Sequence, residues 1–211
     1  MATLGFVVVL YVTWIGAWLL IGLLEDLVGW PATADDRTFY WTVWRIILWM
    51  VPAALVMRYS GIGILEALKG KGLRSILSWG GGVGLLIGME VCIRLWMGEP
   101  PDVPVLNWQL VSTVIMAPLA EEFAFRGAVL GGLLKKYSFG IANALSSLFF
   151  VGAHMPGWYF SGTLVENVTK PVGGALSIFI LGLIFGFVVF KSRSVASGMI
   201  AHAINNFVSV L

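Results

Sequence analysis

Residues 105–134 read VLNWQLVSTVIMAPLAEEFAFRGAVLGGLL, a stretch long and apolar enough to span a bilayer that nevertheless carries Glu121, Glu122 and Arg126. On an insertion scale one ionisable residue at the centre of a membrane helix costs roughly 2.5–3.5 kcal/mol. Three so close together must be paired, turned towards a wet cavity, or both. Ionisable groups placed at that cost mark a functional site by default.

The rest of the chain has the composition of an integral membrane protein. Its 211 residues are 59% hydrophobic and 11% charged, with 10 Trp and 26 Gly, and the mean hydropathy is +0.92. Residues 3–24 (TLGFVVVLYVTWIGAWLLIGLL) exceed the length of a signal-peptide core, and neither a basic leader nor a small-residue cleavage site flanks them, so they read as a retained helix. Further apolar runs lie near 40–57, 77–97, 105–134, 139–155, 173–190 and 194–211. The expectation is an all-α, polytopic transmembrane bundle of about seven spans, within a range of six to eight. Its short connections make residues 1–211 a single integral-membrane domain.

Loop charge sets the orientation. Arg58, Lys69, Lys71 and Arg74 fall in one connection, Lys135 and Lys136 in another, Lys191 and Arg193 in a third, and these three connections alternate along the chain. They are expected to face the cytoplasm, with the N-terminus on the same side. The intervening connections hold Glu25, Asp26, Asp35 and Asp36 with a lone Arg37, then Glu99 and Asp102, then Glu166 with Lys170. The net charge of +2 therefore marks topology, not nucleic-acid binding. A single cysteine, Cys92, rules out an intrachain disulfide and a thiolate metal cluster. Gly80, Gly84 and Gly88, and again Gly182 and Gly186, recur every fourth residue, as helices in close contact require. Packing within the chain is the favoured reading of both series, and a dimer face the other. The connection GIGILEALKGKGLRS (61–75) mixes apolar and basic residues and reads equally as an interfacial segment or a solvated loop.

Depth brings the polar residues together. Counting about 1.5 Å per residue from the basic end places Glu121 roughly 20 Å up, Arg126 13 Å, His154 22 Å, His202 12 Å and Asn206 18 Å, all in one middle slab. Glu122 and Arg126 form an i, i+4 ion pair in the favourable order, while Glu121 points about 100° away and stays free of it. His202 and Asn206, also i, i+4, share one face of the last helix. Each has a bland reading: a structural lock for Glu122 with Arg126, an interfacial histidine at a helix end for His154, and interhelical glue for His202 with Asn206. The chain's two histidines at the depth of the spare carboxylate are better explained together, by one site. Glu90 and Arg94 form a second i, i+4 pair, read as structural, and Arg45 among Trp41, Trp44 and Trp49 reads as an anchor at the outer interface.

These residues carry a family resemblance. Glu121-Glu122-Phe123-Ala124-Phe125-Arg126 resembles the EExxxR motif of the CAAX protease and bacteriocin-processing family of intramembrane glutamic endopeptidases, the group that contains the Ras-converting CAAX endoproteases. Phe150-Val151-Gly152-Ala153-His154 resembles its FxxxH motif and His202-Ala203-Ile204-Asn205-Asn206 its HxxxN motif. Three such motifs in order and at one depth are specific, and they place the catalytic helices within 105–211. Family members often have eight spans where seven are read here.

The resemblance implies an endopeptidase that needs no metal. Glu121 and His154 would activate a water, His202 and Asn206 would donate to the oxyanion, and the Glu122–Arg126 pair would support the site. The substrate would be a peptide or protein, prenylated or membrane-bound, and the compact chain suggests a prokaryotic plasma membrane. Two alternatives stand beside this reading. In one, Glu121, His154 and His202 hold a zinc ion with a water in the fourth position, although the chain has no HExxH motif. In the other, the protein is a non-catalytic membrane immunity, chaperone or scaffold protein. A proton-coupled transporter is less favoured, because no inverted repeat is visible.

Overall fold

The computed structural model describes residues 2–99, 101–102 and 104–211, and among them every regular element is helical. Helix α1 (Ala2–Val28) is apolar all round, so packing alone selects its inner face. Phe6, Leu10, Trp14, Ala17 and Ile21, at steps of three and four, are buried, while Val8, Val12, Ile15, Leu19 and Leu23 point outward. An outer face of that composition suits hydrocarbon.

Helix α2 (Ala34–Tyr59) opens on a capping box in which Thr33 Oγ1 accepts from the Asp36 N–H and the Asp36 carboxylate accepts from the Thr33 N–H. Pro52 has no N–H to give to the preceding turn, and the helix widens to π-helical winding over Ile46–Met50 just before it. After the short α3 (Ile64–Lys69) comes α4 (Leu73–Trp96), which widens over Leu77–Gly81 at its glycine run. Helix α5 (residues 108–133) widens twice, over Ser112–Met116 ahead of Pro118 and over Phe123–Leu130 around Arg126. Helices α6 (Phe139–Phe160), α7 (Leu164–Thr169), α8 (Ala175–Ser192) and α9 (Val195–Val208) complete the chain. Each of the seven apolar runs is helical. Four helices, α1, α2, α4 and α8, are long and apolar enough to cross a membrane by length and composition. The chain is a membrane protein.

Helix α5 is the centre of the bundle. Every residue from Phe123 to Leu130 is buried, enclosed by α1, α2, α6 and α9. Both glycine series serve packing inside the chain. A Cβ on Gly80 would lie 2.6 Å from the Ser197 carbonyl oxygen of α9, and one on Gly84 would overlap Ile204. On α8, Gly186 leaves room for Asn143 of α6, whose Nδ2 donates to the Leu183 carbonyl at 3.0 Å.

The three basic connections meet at one end. Lys135 Nζ donates to the Ser60 carbonyl, Ser194 Oγ to the Leu68 carbonyl, and the Lys71 N–H to the Ser192 carbonyl at 3.1 Å. Glu66 is the one carboxylate in the sequence of these connections. Within residues 61–75, α3 sets Ile64, Ala67 and Leu68 against the core and leaves Leu65 outward. At the opposite end the Asp102 N–H donates to the Leu211 main-chain oxygen at 2.9 Å. The expected Glu90–Arg94 pair does not form. Glu90 is exposed, and Arg94 Nη2 reaches the Leu211 main-chain oxygen at 3.4 Å instead.

Candidate active site

The polar groups of α5 are held by its neighbours. Glu122 and Arg126 are buried and paired at 3.0 Å, one helical turn apart as the sequence requires. Arg126 Nη2 donates to the Gly182 carbonyl at 3.1 Å, and the guanidinium lies 4.5 Å from the centroid of the Phe150 ring. Two glycines make this possible. A Cβ on Gly182 would stand 3.4 Å from Arg126 Nη2, and one on Gly198 would stand 2.9 Å from Glu122 Oε2. The π-helical winding also frees main-chain acceptors, and Ser146 Oγ of α6 donates to the Phe125 carbonyl at 2.9 Å.

His202 of α9 bridges the two adjacent carboxylates. Its Nδ1 lies 3.0 Å from Glu122 Oε1 and its Nε2 3.8 Å from Glu121 Oε2. A carboxylate can only accept, so Nδ1 carries hydrogen; Nε2 is then bare in the neutral ring and a donor in the doubly protonated one. Phe185 stacks on the imidazole at 4.7 Å and 18°, fixing its plane. Glu122 therefore locks α5 and also orients His202, through a contact between residues 80 positions apart.

Glu121 is free of Arg126 but not of every cation. Its Oε1 lies 3.9 Å from Nε of Arg45. This corrects the reading of Arg45 as an interface anchor. Helix α2 begins at Ala34, not near residue 40, which sets Arg45 about 17 Å along the helix, at the depth of the site. Trp41 meanwhile packs on Trp14 and Trp18.

His154 is likewise not at a helix end, because α6 runs through Pro156 to Phe160. Its Nδ1 donates to the Phe150 carbonyl at 2.9 Å, leaving Nε2 as the acceptor of the neutral ring. Phe150 meets this ring edge-on at 4.9 Å. Asn206 donates through Nδ2 to the Thr113 carbonyl at 2.9 Å and accepts from Asn205 Nδ2 at 3.2 Å, so one amide hydrogen is uncommitted.

Glu121, His154, His202 and Asn206 line one cavity of about 280 Å³ together with Arg45, Thr113, Asn205 and Phe185. Sequence reasoning placed Arg45 elsewhere and missed the other three. Asn205 and Thr113 carry no spacing signal, and Phe185 is one aromatic among many in an apolar helix. Chemically the cavity offers a carboxylate, two imidazoles, amide donors and a guanidinium. Among the described residues no three His, Cys, Asp or Glu side chains converge closely enough to hold a metal ion.

A sequence model of the Rce1-like type II CAAX prenyl endopeptidases matches residues 104–208, from four residues before α5 through the end of α9. The chain belongs to this family. Membership makes it a membrane protease of the CAAX prenyl endopeptidase type, a hydrolase acting on a peptide or protein substrate. All of the motif residues lie in the matched segment, whereas Arg45 lies outside it. No curated protein and no solved structure matches the chain.

Proposed function

We propose that the chain is an intramembrane glutamic endopeptidase, with seven spans and a cytoplasmic N-terminus, resident in a prokaryotic plasma membrane. The observation that carries this reading is the convergence of Glu121, His154, His202 and Asn206, from three helices, on one cavity. Glu121 takes a proton from a water whose other hydrogen is held by His154 Nε2, and the water oxygen attacks the scissile carbonyl carbon. Asn206 Nδ2–H and doubly protonated His202 Nε2–H donate to the resulting oxyanion. The tetrahedral intermediate then expels the amine, which takes back the proton held by Glu121, leaving a carboxylic acid and an amine. Glu122 and Arg126 keep the His202 ring and α5 in place without touching substrate.

Purified protein is expected to cleave a fluorogenic farnesylated peptide, to carry substoichiometric metal by mass spectrometry, and to stay active after prolonged chelation. Stoichiometric zinc, with activity lost on stripping and restored by zinc alone, would turn Glu121 from a base into a ligand. Absence of cleavage of this and of unprenylated membrane peptides, in a folded preparation, would favour the scaffold reading.

Arg45 is a positioning residue in this scheme, facing Oε1 of Glu121 while His202 faces Oε2. A charge 3.9 Å away interacts appreciably even at an effective dielectric near 20. Arg45→Met is expected to lower kcat by about tenfold or more with KM little changed, and Arg45→Lys to recover most of the loss. Normal kcat in Arg45→Met would remove Arg45 from the site.

A further inference from the structure

A second cavity, of about 430 Å³, lies at the basic end of the bundle, between the α3 connection, α5, α8 and the start of α9. Its walls combine two chemistries. Leu130, Leu134, Val189 and Phe190 are apolar, Lys71, Lys191 and Arg193 contribute three basic residues, with the Lys191 ammonium 5.4 Å from the Phe187 ring centroid, and among the described residues no carboxylate lines it. Arg126 forms part of the wall, but Glu122 already matches its charge. Among the described residues Lys71, Lys191 and Arg193 have no carboxylate within ion-pair distance.

The cations are placed by fixed backbone rather than by loose loops. Lys71 Nζ donates to the Lys191 carbonyl at 2.9 Å, which ties the two connections together. Arg193 sits at φ 57°, in the left-handed region that non-glycine residues seldom adopt, where it closes α8. A Cβ on Gly70 would stand 2.6 Å from the Arg193 carbonyl carbon, so the two turns interlock. The volume is in the range of small-ligand sites.

We infer that this cavity binds the phosphate headgroup of an anionic phospholipid, with Lys71, Lys191 and Arg193 on the phosphate and the apolar wall against the first acyl carbons. A soluble phosphate would satisfy the cations and leave the wall of Leu130, Leu134, Val189 and Phe190 unused, whereas a lipid uses both. Basic pockets between membrane helices on the side facing an anionic leaflet bind headgroups in this way. The inference is independent of the peptidase mechanism.

The test is native mass spectrometry of the full chain in detergent with added phosphatidylglycerol or phosphatidylcholine. The wild type is expected to retain phosphatidylglycerol selectively, and Lys191→Gln with Arg193→Asn to weaken that retention by about fivefold for each cation removed. Asn is chosen at 193 because it tolerates the left-handed conformation, and the melting temperature of the double variant checks its fold. A control pair, Lys69→Gln with Lys136→Gln, removes the same charge from exposed positions outside the cavity and should keep the selectivity. If the fold proves sensitive, Lys71→Gln alone is read in the same way. Equal retention of the two lipids, equal losses in the control pair, or full competition by inorganic phosphate at matched concentration would each overturn the assignment.

Discussion

Glu121→Gln is expected to abolish peptide cleavage while the protein still inserts and purifies as a single species. Glutamine fills the volume of glutamate and preserves a hydrogen-bonding group beside His202 and Arg45, so the cavity stays intact. What disappears is the ability to accept a proton from water. Loss of a general base costs about a hundredfold or more in kcat, and Gln cannot replace it. Glu121 contacts its neighbours only at 3.8 and 3.9 Å, so the substitution breaks no close hydrogen bond and its effect on stability should be small. Activity above about a tenth of wild type would exclude Glu121 as the base.

His202→Ala and Asn206→Ala are each expected to lower kcat by about 10²–10³-fold with little change in KM, the signature of donors that act on the transition state. The structure separates the two variants. Asn206 also holds the Thr113 carbonyl, so its loss should carry a modest fall in melting temperature, of the size of an interhelical hydrogen bond of about 0.6–2 kcal/mol. His202→Ala removes a partner from buried Glu122, which keeps its ion pair with Arg126. Measuring kcat and melting temperature on the same preparations decides between catalysis and packing. A stability loss with normal turnover in the folded fraction would sink the oxyanion assignment and leave helix glue as the role of this face.

The fold and the site were legible to different depths. Composition and run length set the helices, because an apolar segment in a bilayer has to satisfy its own backbone hydrogen bonds. The boundaries were less visible. Taking α2 to start near residue 40, and α6 to stop before Pro156, misplaced Arg45 and His154 relative to their helix ends. Charged and proline residues are tolerated inside these helices where neighbours enclose them.

By itself the sequence determined the all-helical membrane architecture, the gathering of the basic connections at one end, the Glu122–Arg126 pair and the two residues on one face of α9. Each of these follows from spacing along a single helix or from charge between helices, both of which are local. Tertiary structure alone decided the rest: that His202 reaches across to both Glu121 and Glu122, that Arg45 from outside the motif-bearing segment faces Glu121, and that Gly182 and Gly198 clear space for the buried pair. Those contacts depend on how helices distant in sequence pack against one another and on the widened winding of α5. Helical periodicity carries no information about either.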